Sequence, residues 1–199
     1  MKNIESKTEE LKELINETVN LLGSTNQTYT KIIQFLQSLG VLSQPKQILN
    51  GQLLFFKYHP INEAFIKTSN PYDQYPLIFV TEVHRGGFQG INLHYLSPDH
   101  RKILFDLLIK NIPIIKGGEK RSNRFKTNYD VLSSKKILRL FKPCYRQYRW
   151  EGLLKRPTVI PFQFWETLIE SNTQRFVLGK KEQIHRQSYI IAMRRKGKK

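Results

Sequence analysis

Glu82 and His84 stand two residues apart, within and just after Leu77-Ile78-Phe79-Val80-Thr81-Glu82-Val83, a stretch that reads as a strand, so their side chains would share one face. A carboxylate beside an imidazole is a fragment of a metal-dependent nuclease site. The complete site needs two or three carboxylates converging on a divalent ion, often with a lysine nearby. Asp73, Glu82 and Asp99 are acidic residues of the sheet region, and no Asp/Glu-x-Lys follows the first. His59, His84, His94, His100 and His185 include no pair at helix-ligand spacing, and Cys144 is the sole cysteine, so no zinc site is expected. His94 lies in an apolar strand and reads as a hydrogen-bonded core histidine. Gly86-Gly87 and Gly117-Gly118 lack the following Gly-Lys-Ser/Thr of a phosphate loop, and there is no Ser or Cys nucleophile signature. No catalytic residue, metal ligand or cofactor is assigned, and the expectation is a protein that is not an enzyme.

What recurs instead is basic side chains interleaved with aromatic ones. Lys116, Lys120, Arg121, Arg124 and Lys126 crowd a glycine-containing stretch with only Glu119 against them. Lys135, Lys136, Arg139 and Lys142 lie three or four apart, the spacing of one or two neighbouring ridges of a helix. Tyr145, Arg146, Tyr148, Arg149 and Trp150 continue the pattern, followed by Lys155 and Arg156, and the chain ends in Arg194-Arg195-Lys196-Gly197-Lys198-Lys199. Guanidinium and ammonium groups neutralise phosphates, and ring faces can stack on unpaired bases. The plainer alternative makes Tyr145, Tyr148 and Trp150 core residues and the bases their solvated side. With no sequence-reading motif present, DNA binding through these cations should be insensitive to base sequence.

The whole chain sets the context for that pattern. Its 199 residues carry a formal charge of +17. Residues 1–100 hold eight Lys/Arg against nine Asp/Glu, whereas residues 101–199 hold 25 against seven. An imbalance this steep concentrates field on one part of the molecule, and a polyanion is the partner it suits. Hydrophobic residues make up 39% and aromatics 12%, enough for a real core. No apolar run approaches the roughly 18 residues of a membrane span, so no membrane partner is expected. The start, MKNIESKTEE, has neither the apolar stretch of a signal peptide nor the basic character of a transit peptide. A lone Cys144 fits a buried thiol in a reducing compartment.

Three regions must position these residues. Over 1–45, Leu11, Leu14, Ile15, Val19 and Leu22 predict a helix at 5–22 and Ile32, Ile33, Leu36 and Leu39 a second at 28–39, with Gly23 and Gly40 as stops and Ser24 or Thr25 as cap. Beyond its extreme N-terminus this hairpin carries only Lys12 and Lys31 as bases, too few for a groove-reading helix-turn-helix. Over 46–112, strands at 52–58, 77–83 and 88–95, the last pair joined at Arg85-Gly86-Gly87, predict a small curved antiparallel sheet or half-barrel, and Pro98 opens a helix at 98–110. Over 113–199 the reading is an exposed basic loop at 113–130, helices at 133–142 and 161–170, and a basic tail. The fold class is α+β, with an N-terminal helical hairpin, that sheet and a C-terminal basic helical region.

Gly51-Gln52-Leu53-Leu54-Phe55-Phe56-Lys57-Tyr58, Pro71-Tyr72-Asp73-Gln74-Tyr75-Pro76-Leu77-Ile78 and Gly87-Phe88-Gln89-Gly90-Ile91-Asn92-Leu93-His94-Tyr95-Leu96 together carry a resemblance. They resemble a family of small tailed-bacteriophage proteins with a strand, a Tyr-Asp-x-Tyr/Phe-Pro-Leu stretch and a Gly-x-Asn-Leu-His-Tyr-Leu strand. Arg101 and Leu104 also suit that pattern. The likeness covers roughly 50–110, with a weaker echo around Tyr145 to Trp165. Many members are labelled DNA end protector proteins. The resemblance implies a virion component, present in the host cytoplasm during assembly, that shields the ends of packaged double-stranded DNA near the portal, neck or tail. Its partners would be the genome end and other virion proteins, in multiple copies of a symmetric assembly. The competing expectations are a purely architectural neck, tail or baseplate subunit, and a small packaging-associated nuclease using Glu82.

Overall fold

Leu11, Ile15 and Thr18 fall on one stripe, and that stripe turns inward in α1 (Lys2–Leu22). The computed structural model describes residues 2–40, 47–61, 70–116, 124–126 and 142–193. Gly23 stops α1 in the left-handed region, φ +63°, and donates its N–H to the Val19 carbonyl. Thr25 then caps α2 (Asn26–Ser38) by accepting from the Thr28 N–H, while the Thr28 hydroxyl donates to the Gly23 carbonyl at 2.6 Å. The helical hairpin is present, and its buried Tyr29, Ile32 and Leu36 dock it on the sheet.

That sheet has five antiparallel strands. β1 (Leu53–Phe55), β3 (Leu77–His84), β4 (Gly87–Asn92), β7 (Tyr145–Arg149) and β8 (Thr158–Val159) take the order β7-β4-β3-β1-β8. β2 (Tyr72–Asp73) pairs separately with β9 (Phe176–Val177), and β5 (Ile114–Ile115) with β6 (Arg124–Phe125). Successive side chains alternate between two buried clusters. Leu53, Phe55, Leu77, Phe79 and Ile91 face α1, α2, α3 (Pro98–Asn111) and α4 (Trp165–Glu170), with Ile184 of α5 (Lys181–Met193) completing that side. Leu54, Phe56, Ile78, Val80 and Phe88 face the second cluster. Burial on both sides explains why Leu53-Leu54-Phe55-Phe56 is apolar throughout instead of alternating.

The second cluster shows how strongly the sheet curves. β1 and β7 are three places apart, about 14 Å in a flat sheet. Yet the rings of Tyr58, just beyond β1, and Tyr148 on β7 lie 4.8 Å apart, and Phe56 lies 5.3 Å from Tyr148. The sheet therefore curls around its aromatic side chains into a half-barrel, with β7 and β8 as edges. A register shift between Val80 and Glu82 marks a bulge at Thr81, which adds to the twist. Gly51 at φ +82° leaves room for the Phe125 carbonyl, which would stand 1.8 Å from a Cβ there. Its N–H and carbonyl pair with Val80 and Phe125. The other cluster is closed by Trp165, fully buried, whose indole N–H donates to the Ile160 carbonyl at 2.7 Å.

Several expectations need correction. The strand at 88–95 ends at Asn92, because its side chain accepts the His94 N–H and bends Leu93–Tyr95 into a 3-10 turn. The stretch 113–130 is not a free loop where it is described. β5 and β6 make a short ribbon, rooted by Phe125, which is 1% exposed. The helix expected at 161–170 begins with a 3-10 turn at Phe162–Phe164, and the helix expected at 133–142 lies outside the described residues except for Lys142, which opens another such turn. β7, β8 and α5 had no counterpart in the sequence reading. The sheet draws β1, β3 and β4 from 46–112 and β7 and β8 from 113–199, so one sheet spans that division.

Candidate nucleic-acid interface

The predicted phosphate-binding residues separate into three groups. Lys120, Arg121, Lys135, Lys136, Arg139 and the terminal Arg194, Arg195, Lys196, Lys198 and Lys199 lie outside the described residues. Lys116, Lys126, Lys142, Arg149, Lys155 and Arg156 are described and exposed. Lys116 and Lys126 flank the β5–β6 ribbon, Lys142 precedes β7, Arg149 ends it, and Lys155 and Arg156 follow in the connection to β8. Arg124 and Arg146 belong to a third group, turned onto the protein. Arg124 Nη1 donates to the Asn50 carbonyl at 3.1 Å. The Arg146 guanidinium lies 4.0 Å above the Tyr95 ring, and its Nη1 donates to the Tyr145 carbonyl.

The interleaved rings are committed to the protein as well. Tyr148 is 4% exposed and stacks on Phe88 at 5.6 Å. Tyr145 is half-buried, its hydroxyl 3.0 Å from that of Thr81. Trp150 packs on Phe88 at 5.2 Å and donates its indole N–H to the Arg85 carbonyl. All three rings thus pack within the protein, as the plainer alternative has it, and are not offered to unpaired bases. Most of the described bases of the predicted set stay exposed, Arg124 and Arg146 apart. Lys12–Glu9, Lys102–Glu170 and Lys181–Glu182 pairs engage lysines outside the predicted set. Arg85, which sequence reasoning passed over as part of a turn, stands exposed at the β3–β4 tip, where Trp150 also donates its N–H to the Gly86 carbonyl. The signal for it was the cross-strand neighbourhood of Arg149, opposite Gly87, which no linear pattern displays.

A second arrangement has the outline of an acyl-transfer relay. His94 Nδ1 is 2.7 Å from Asp73 Oδ2, and His94 Nε2 is 3.1 Å from Thr173 Oγ1. Asp73 Oδ1 accepts the N–H groups of Tyr75 and Arg175, and Oδ2 accepts also from Asn92 Nδ2, which in turn meets the Tyr148 hydroxyl. Burial holds the His94 ring below its ordinary pKa despite the pull of Asp73, so the neutral ring donates from Nδ1 and accepts from Thr173. Exposures of 2%, 0% and 3% for Asp73, His94 and Thr173 leave the threonine hydroxyl out of reach of any substrate. The relay therefore acts as a brace, joining β2, the 3-10 turn after β4 and the segment before β9.

Arg101 completes this polar core. It is 0% exposed and donates to the carbonyls of Leu96, Ile169 and Ser171 and to Gln174 Oε1. Desolvation lowers its pKa to about 10, which leaves it charged. Cys144 is buried, and burial pushes its thiol up to about 12, so it is inert. Glu82 and His84 do share one face, as expected, but Asp73 points into the core. Among the described residues no group of three His, Cys, Asp or Glu side chains could hold a metal ion. No helix among them is long and apolar enough to cross a membrane. No family model, curated protein or solved structure matches the chain.

Proposed function

We propose that this chain is a non-enzymatic structural protein that binds duplex DNA through phosphate contacts, in the setting of a tailed-phage virion where the packaged genome end meets the portal, neck or tail. The observation that carries the reading is the distribution of charge. Residues 101–199 bear 25 Lys/Arg against seven Asp/Glu, and Lys116, Lys126, Lys142, Arg149 and Lys155 from that half are exposed. A surface of this kind releases counterions when it meets a polyanion, which yields affinity without base preference. The tailed-phage setting comes from the resemblance over 50–110 and is proposed on that ground alone. The helical hairpin, with few bases, would face protein neighbours instead.

Binding of a linear duplex measured across a salt series tests this. The expected result is a log–log slope of about −5 or steeper, reflecting roughly six or more phosphate contacts. Affinity that ignores salt, or no binding at 50 mM salt, would reject the DNA partner and leave the bases to acidic protein neighbours.

A further inference from the structure

Opposite its buried stripe of Leu11, Ile15 and Thr18, α1 carries a charged row. Glu5, Glu9, Glu13, Glu17 and Leu21 stand four residues apart on one ridge of the helix, and all are exposed, Leu21 at 72%. Like charges at this spacing work against a helix, and no base in the last turn of α1 relieves them. Among the described residues, Glu9 alone of the four glutamates has an ion-pair partner, Lys12 at 3.5 Å. The other end of the chain presents the reverse pattern. In α5 the residues Ile184, Ser188 and Ala192 are buried, and Arg186 and Ile190 lie on the opposite side, with Lys180 and Lys181 exposed at its start. Gln183, Arg186, Gln187, Ile190 and Ile191 outline a shallow open depression there, its two isoleucines 43% and 40% exposed.

We infer that the outward ridge of α1 seats in the α5 depression of a second copy of this chain, the two helices running in the same direction. Glu17 and Leu21 are four apart, as are Arg186 and Ile190, so one register sets carboxylate against guanidinium and leucine against isoleucine. In that register Lys180 and Lys181 fall near Glu13, where they outweigh Glu182. Running the helices oppositely would set Leu21 on Glu182 and Glu13 on Ile190. Other pairings of these faces fail on charge. Two α5 faces would bring Arg186 and Lys181 against their like, and two α1 faces would oppose rows of glutamate. Leu11, Ile15 and Ile184 share one core, so within a molecule both ridges point away from it and can meet only between copies. A contact between unlike faces is heterologous: each copy offers one of each, and repetition builds a ring or a filament. Lys116, Lys126, Lys142, Arg149 and Lys155 take no part, so the contact goes beyond the DNA-binding reading and does not depend on it.

Sedimentation velocity of the full chain, freed of nucleic acid, tests this. Wild type should self-associate at about 50 mM salt and come apart toward about 0.5 M, where exposed charges are screened. Glu13→Lys/Glu17→Lys and Lys181→Glu/Arg186→Glu should each stay monomeric at concentrations where wild type assembles, with unchanged melting temperatures. Mixed in equal amounts the two should assemble again, because the reversed α1 of one matches the reversed α5 of the other. Leu21→Ser should weaken association roughly tenfold with every charge intact. A wild type that is monomeric at low salt, or reversed variants that fail to assemble when mixed, would overturn the contact. Assembly that survives either reversal alone would overturn it too. With no DNA present, none of these outcomes bears on the phosphate contacts, which the salt series on duplex tests separately.

Discussion

His94 and Asp73 meet at 2.7 Å with neither side chain open to solvent, and Thr173 stands 3.1 Å beyond the far nitrogen of the ring. A carboxylate buried this deeply is tolerable because its two oxygens together accept from Tyr75, Arg175, Asn92 and His94. Asp73→Ala removes the common acceptor of all four and should cost about 3 kcal/mol or more. Thr173→Val strands only His94 Nε2 and should cost about 1–2 kcal/mol. Urea denaturation of the two variants checks the order. A Thr173→Val protein less stable than Asp73→Ala would mean the brace is anchored at the wrong end.

His185 gives the fold a dependence on pH. Its Nε2 meets the His94 carbonyl at 3.0 Å, and burial, with the nearby Arg101 and Lys181 charges adding, lowers its pKa to about 4. The unfolded chain takes up a proton on this ring near pH 6.5, the folded one only near 4. The contribution is therefore complete above about pH 6.5 and is lost as pH falls toward 4. With solvent screening of a half-buried ring, the loss is on the order of 2 kcal/mol. Unfolding midpoints at pH 7.5 and 5.0, compared between wild type and His185→Gln, isolate it: the variant should show the smaller fall. An equal fall in both would assign the acid sensitivity elsewhere.

Legibility in the sequence followed the range of the forces involved. The helical hairpin and α3 were readable because their stops and caps are local: Gly23, Thr25 and Pro98 act on chain neighbours. β3 and β4 were readable from their apolar runs and the Gly86-Gly87 turn. β7 was not, because Tyr145-Arg146-Gln147-Tyr148-Arg149 looks polar until Phe88 and Tyr58 arrive from distant positions to bury Tyr148. His94 was correctly read as core from its apolar flanks, but its partner Thr173, 79 residues away, left no trace in local pattern. For the same reason Arg146 and Arg149 looked equivalent, though they occupy opposite faces of one edge strand.

That difference predicts opposite phenotypes. Arg146 lies over Tyr95, and removing it forfeits a partly desolvated cation–π contact of about 1 kcal/mol. Arg146→Ala should lower the melting temperature by several degrees and change DNA affinity little. Arg149 is exposed, so Arg149→Ala should keep the melting temperature and weaken DNA binding. Thermal melts and anisotropy titrations on both variants decide. Equal DNA-binding losses would place Arg146 on phosphate despite its ring contact.

Lys116 and Lys126 offer the most direct reading of phosphate contact, because they flank one ribbon and both are exposed. Phe125, between them and the core, fixes the ribbon's root, so truncating either lysine removes charge without loosening β5 or β6. Each phosphate contact contributes about 0.9 to the salt slope. The Lys116→Ala/Lys126→Ala variant should therefore bind linear duplex with a slope shallower by about 2 and should lose affinity most at low salt. Lys102→Ala is the control, since Lys102 already holds Glu170 at 2.7 Å and should leave the slope unchanged. If the double variant kept the wild-type slope while Lys102→Ala reduced it, phosphate contact would belong to the α3–α4 side instead of the ribbon.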